Sequence, residues 1–64
     1  MKIDEVKGNL NKNVKYKDNA ELYTLTACIL RKGKSGFFYQ AELLDTRNGR
    51  SVTICNLDDV GAIE

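Results

Sequence analysis

The chain contains no histidine, no tryptophan and no proline. Each absence removes a class of chemistry. Without histidine, a serine or cysteine nucleophile lacks its usual activating base. A zinc site lacks its nitrogen ligand, and the two cysteines, Cys28 and Cys55, are too few to supply it alone. They permit at most one intrachain bridge. No apolar run approaches the roughly 20 residues of a membrane-spanning helix. The first eight residues, from Met1 to Gly8, hold no hydrophobic targeting stretch. These absences lead to the expectation of a cytoplasmic, non-enzymatic protein with two free thiols, no cofactor, no bound metal and no membrane association.

What remains is globular. Hydrophobic residues make up 42% and charged residues 30% of 64 positions, which separates the chain from disordered sequences and allows one domain, residues 1–64. So short a chain buries a small core, and association with another copy is one common remedy. The net charge of +1 is far from the basic footprint of a committed nucleic-acid binder. The charge is nevertheless uneven: five lysines precede Asp18 against two acids, and Arg31, Lys32 and Lys34 cluster further on.

Residues 1–12 predict a short helical turn. Ile3, Val6 and Leu10 are spaced three and four apart, Asp4 and Glu5 suit a helix start, and Gly8 and Asn9 end it. Val14-Lys-Tyr-Lys17 alternates apolar and charged residues, so Val14 and Tyr16 should face inward. Asp18-Asn19 should turn the chain.

The stretch from Ala20 to Ile54 organises the fold as three strands and two turns. In the first strand, Tyr23, Leu25, Ala27 and Ile29 form the more apolar face, opposite Thr24, Thr26 and Cys28. Leu22 and Leu30 break that division and suggest a bulge. Gly33 to Gly36 forms the first turn. Phe37, Tyr39, Ala41 and Leu43 then share one face, and Phe38, Gln40, Glu42 and Leu44 the other. Asn48-Gly49 is a type I′ hairpin signal, which sends Val52 and Ile54 inward and Thr53 and Cys55 outward. Leu57 to Val60 suits one 3₁₀ turn, and Gly61 to Glu64 a short closing strand.

The order is strand, long strand, long strand, strand, single 3₁₀ turn, strand. Over residues 13–63 it resembles the small five-stranded barrel of the Src-homology-3 type, in which a 3₁₀ turn stands where Leu57 to Val60 stand here. That resemblance implies an all-β fold and an interaction module. The tryptophan with which its peptide-binding members grip proline-rich ligands has no counterpart here, so that activity is not implied. Nor is the glycine-centred motif of ribosome-associated members present.

Three other constellations fail on spacing. Gly33-Lys34-Ser35 resembles the end of a phosphate loop, but Cys28 stands where that loop needs glycine, and a strand-like run follows instead of a helix. Asp58, Asp59, Glu42 and Asp45 match no cation-binding loop; Asp58 suits a helix start. Cys28 and Cys55 read as small half-buried residues.

Phe38 remains, an aromatic on a polar face beside a basic turn. It suits a cover for one barrel end under the Ile3–Leu10 turn, a protein contact, or a stacking platform for a base held by Arg31, Lys32 and Lys34. The expected partner is a protein or a second copy, through Phe38, Gln40 and Glu42. The alternative is weak binding of RNA or single-stranded nucleic acid through Phe38, Tyr16 and the basic turn.

Overall fold

The computed structural model describes residues 1–18 and 21–63. Its elements are helix α1 (Ile3–Asn9), strands β1 (Asn13–Tyr16), β2 (Leu22–Gly33), β3 (Gly36–Asp45) and β4 (Val52–Asn56), a 3₁₀ turn (Leu57–Asp59), and β5 (Val60–Ala62). The five strands form one antiparallel sheet in the order β4-β3-β2-β1-β5, open in its ladder, with β4 and β5 at the edges. Among the described residues no helix is long and apolar enough to cross a membrane. Asn19 and Ala20 lie outside the described residues, and with them half of the Asp18-Asn19 turn; Glu64 lies outside them too.

Helix α1 forms where the spacing predicts it. The Glu5 carboxylate accepts the Lys2 N–H at 3.0 Å, tying off one free donor of the first turn. Only Val6 is buried; Ile3 and Leu10 stay exposed. The helix therefore contributes one apolar side chain to the core.

The core comprises Val6, Val14, Tyr23, Leu25, Ala41, Leu43, Cys55, Leu57 and Val60, with Met1, Tyr16 and Cys28 packed against it. Val14, Tyr23, Leu25, Ala41 and Leu43 thus occupy the face expected for them. Among the described residues Asp45 is the buried charged one, seated opposite Tyr23. It accepts the Arg47 N–H at 2.8 Å and Arg47 Nη2 at 2.7 Å, and Arg47 also reaches Glu21 at 3.2 Å.

Two registers differ from the expected pattern. In β2 the pairing with β3 slips by one residue between Leu25 and Ala27. Thr26 is the extra residue, and its hydroxyl donates to the Glu42 carbonyl at 3.1 Å, restoring a bond within the interrupted ladder. The expected bulge is therefore present, and it exchanges the faces beyond it. Cys28 stands opposite buried Ala41, while Ala27 and Ile29 stand opposite Glu42 and Gln40 on the outer face.

The second difference lies in the β3–β4 connection. A type I′ turn at Asn48-Gly49 would place Val52 opposite Asp45. Instead Val52 pairs with Leu44, Thr53 with Leu43 and Cys55 with Ala41. Asn48 keeps a negative φ, and the left-handed residue is Gly49 alone, at φ 65°. The Asn48 side-chain oxygen accepts the N–H groups of Arg50 and Ser51, at 2.9 and 3.0 Å, and so shapes a longer loop. One residue of slip turns the strand over. Cys55 is buried, whereas Val52 and Ile54 are 50% and 45% exposed. The C-terminal elements differ only at their bounds: Val60 opens β5 rather than closing the 3₁₀ turn, and no side chain caps that turn.

Leu43→Ala should lower stability by about 2–5 kcal/mol, because the side chain is fully buried and its loss leaves a cavity. That is comparable to the whole stability of many domains this size, roughly 3–5 kcal/mol, so urea unfolding should show a largely unfolded variant. A second prediction concerns acid. Hydrogen bonds from Arg47 hold the Asp45 carboxyl below its ordinary pKa. Its stabilisation is complete above the unfolded carboxylate pKa of about 4 and fades as pH falls through the lower folded value. Asp45→Asn should therefore unfold at lower urea than the parent at pH 7, and the gap should close as pH falls below the ordinary carboxylate range and through the lowered folded value.

Candidate interaction site

The β2–β3 hairpin runs beyond the core. The last residue of β2 that pairs with β1 is Thr24, and segment 11–12 bonds only as far as Leu25. Past that point the hairpin continues to Gly33 and Gly36, joined by Lys34 and Ser35. Its apolar side chains outlast the core they alternate over. Phe37 is 70% exposed and Leu30 57%. Lys32 stands opposite Phe37, with its Nζ 5.9 Å from the ring centroid, and Arg31 stands opposite Phe38.

Phe38 lies on the other face, and its ring leans over Gly33. A Cβ at position 33 would sit 3.1 Å from Phe38 Cε1, tighter than ordinary packing. The glycine is thus required for close approach by a ring. The left-handed turn residue is Gly36, at φ 123°. A strand follows directly, which disposes of the phosphate-loop reading of Gly33-Lys34-Ser35.

Across from the aromatics runs the start of the chain. The Met1 amino group donates to the carbonyl oxygens of Leu57, at 3.1 Å, and of Val60. This ties the beginning of α1 to the 3₁₀ turn. Between them and Phe37, Phe38 and Tyr39 lies a cleft of about 650 Å³. That volume lies within the range of ligand-sized pockets. Ile3 and Leu57 line it as well, and its polar positions are Lys2, Asp4, Asn56 and Asp58.

Gln40 follows Tyr39 but lies on the outer face, away from this cleft, paired with Ile29 on one side and with Asn56 on the other. Its amide oxygen is buried and accepts no hydrogen bond from the described residues. An unpaired buried acceptor costs about 1–3 kcal/mol.

Five of the six residues expected at a binding site, Phe38, Gln40, Arg31, Lys32 and Lys34, therefore share the far half of one hairpin. Tyr16 does not join them. It packs edge-on against Tyr23, centroids 5.8 Å apart, with Lys17 Nζ 5.4 Å from its ring, beside β5. Tyr16 belongs to the core's other end.

The remaining candidates are dispersed. Cys28 and Cys55 both flank Ala41, on strands either side of β3. Two strand spacings separate them by about 10 Å, beyond the reach of a disulfide. Both are free. Asp45 is engaged by Arg47, and among the described residues no three acidic or thiol groups converge on a metal-sized site.

One reading of Phe38 sets it under the Ile3–Leu10 turn, and Ile3 does border the cleft with it; the part played by Met1, Lys2 and Asp4 has no such sign in the sequence. The turn itself is signalled by the spacing of Ile3, Val6 and Leu10, of which only Val6 went inward. No protein-family model matches the chain, and no curated protein or solved structure matches it.

Burial raises the pKa of both thiols; for Cys55 the nearby Asp59 charge adds to the effect, partly offset by Lys17. With an aromatic disulfide reagent at pH 8, both should react more slowly than free cysteine. Half-buried Cys28 should react first, and buried Cys55 only when urea opens the fold. Equal, rapid labelling of both in the native protein would contradict this placement.

Proposed function

We propose that the protein is a non-enzymatic interaction module that takes a segment of another protein into the cleft beneath Phe37 and Tyr39, with Phe38 at its border. The observation that carries this reading is the exposure of Phe37 and Tyr39 on one face of β3 along a ligand-sized cleft that Phe38 also borders. Large rings on a rigid strand lose little entropy on binding and bury much apolar area, which is how aromatic anchors dominate interfaces. The mixed rim of Lys2, Asp4 and Asp58 suits polar contacts around that centre.

The same reading includes closure of the sheet into a small Src-homology-3-like barrel. It is supported by the element order, by the 3₁₀ turn immediately before β5, and by the bulge that bends β2 between its two ladders. A cytoplasmic location accords with two free thiols.

The second reading, RNA or single-stranded nucleic acid, is favoured by one observation: Arg31 and Lys32 stand directly opposite Phe38 and Phe37. The two readings differ in salt dependence, since phosphate binding releases counterions.

Phe37→Ser is the variant of choice, because so exposed a ring contributes little to folding. Immobilised protein should retain a specific polypeptide from the source cell's extract, and Phe37→Ser should lose it at least about tenfold, roughly 1.4 kcal/mol. In parallel, a labelled uridine-rich single-stranded RNA should show no binding at low salt. Tight RNA binding that weakens steeply with salt, together with no retained polypeptide, would replace the protein reading with the nucleic-acid one.

A further inference from the structure

Strand β3 has a partner on only one side along its first part. Toward β2 it is paired from Gly36 to Asp45. Toward β4 the ladder ends at the pair of Gln40 and Asn56, where the chain leaves into the 3₁₀ turn. Among the described residues no strand runs beside Gly36 to Tyr39 on that side. The lane so left is roughly 13 Å long, and the cleft lies along it, between the β3 residues and Met1 to Asp4. Phe37, Phe38 and Tyr39 all border the cleft although their side chains alternate between faces. That is the pattern of a wall formed by a strand's backbone edge.

The direction of the backbone groups follows from the ladder. The Asp45 N–H donates to the Ser51 carbonyl at 2.8 Å, so Asp45 turns its backbone toward β4. That direction alternates along a strand. The pairing of β3 with β4 is unbroken, so Leu43, Ala41, Tyr39 and Phe37 turn the same way, and Gln40, Phe38 and Gly36 turn toward β2. The N–H and C=O of Phe37 thus face the cleft, with no backbone partner on that side among the described residues. We infer that the segment taken into the cleft binds as an added strand along Phe37 to Tyr39, extended, with apolar residues at alternate positions and an acidic residue at its end beside Phe37. This rests on the protein-binding reading of the cleft and specifies the ligand of that same site.

Charge and shape select that occupant. Between Glu21 and Glu42 the chain holds no acid. Arg31, Lys32 and Lys34 are exposed there, and none makes an ion pair among the described residues. Lys32 Nζ stands over the Phe37 ring, at the hairpin end of the lane, so a carboxylate arriving there meets an ammonium group. Ile3, Leu57 and the rings of Phe37 and Tyr39 offer apolar contacts to every second side chain of the segment. Met1 to Asp4 wall the lane across from β3, which admits a single chain and not the edge of a folded sheet, a second copy's included. Backbone bonds then supply affinity and the alternate side chains supply selectivity.

Panning a random library of short displayed peptides on the immobilised protein tests it, followed by residue-resolved amide hydrogen exchange with a recovered peptide in excess. Recovered peptides should carry apolar residues two apart and Asp or Glu at one end. Phe37→Ser and Lys32→Glu/Lys34→Glu should each hold them at least about tenfold more weakly, the fold of both variants checked by urea unfolding. Exchange of the Phe37 N–H should slow at least about tenfold on binding, while that of Phe38, already directed at β2, should change little. Peptides that need Phe37 but leave its N–H exchange unchanged overturn the added strand and leave the cleft reading standing. So do peptides with apolar residues at helical spacing, or ones that Lys32→Glu/Lys34→Glu holds as tightly as the parent. A library that yields no peptide, or only peptides that Phe37→Ser holds equally well, overturns both.

Discussion

The register of β4 against β3 is the constraint on which the arrangement of this small protein turns. Its ladder is shifted by one residue from that of a two-residue Asn-Gly turn, because Asn48 uses its side chain to bind the backbone of Arg50 and Ser51. The shift exchanges the faces of β4 completely. Cys55 enters the core beside Ala41, and Val52 and Ile54 leave it. A core this small has few positions to fill. Placing a cysteine where an isoleucine was available gives up apolar burial, and leaves that apolar surface at an edge.

The bulge at Thr26 acts in the same way on β2. It keeps Leu25 opposite Leu43 near the base of the hairpin, while allowing Cys28 to meet Ala41 further along. Beyond it the hairpin leaves β1 behind and carries its aromatics past the core, consistent with a long dimension of 35 Å against 24 and 20 Å. The Met1 amino group, held on the carbonyls of Leu57 and Val60, sets the opposite wall. Cleft and edge therefore have a common origin: strands that extend apolar side chains beyond what a core of nine buried residues can cover.

Much of this was legible beforehand. Alternation located every strand to within a residue or two, glycine placed the first turn, and the helical spacing of Ile3, Val6 and Leu10 placed α1. Four basic and aromatic residues of the hairpin, Phe38, Arg31, Lys32 and Lys34, are neighbours, with Gln40 beside them. Tyr16 was grouped with them because a flat reading of the chain cannot measure distance; the fold sends it to Tyr23 instead. The faces of β4 were read in reverse because valine and isoleucine are the more apolar choice, and the Asn-Gly pair supplied a turn that agreed. The cleft's far wall is only partly legible: the Ile3–Leu10 turn can be set over Phe38, but Met1, Lys2 and Asp4 meet Phe37 to Tyr39 only through tertiary packing.

By itself the sequence determined which segments extend, where they reverse, and which chemistries are missing. Those properties are local: they depend on the period of the side chains, on backbone freedom at a few positions, and on composition. Tertiary structure alone decided the registers, hence which side of β4 is buried, how far apart Cys28 and Cys55 lie, and which residues border the cleft. The physical reason is that a period of two looks the same after a slip of one residue. Only the neighbouring strand's hydrogen bonds distinguish inside from outside.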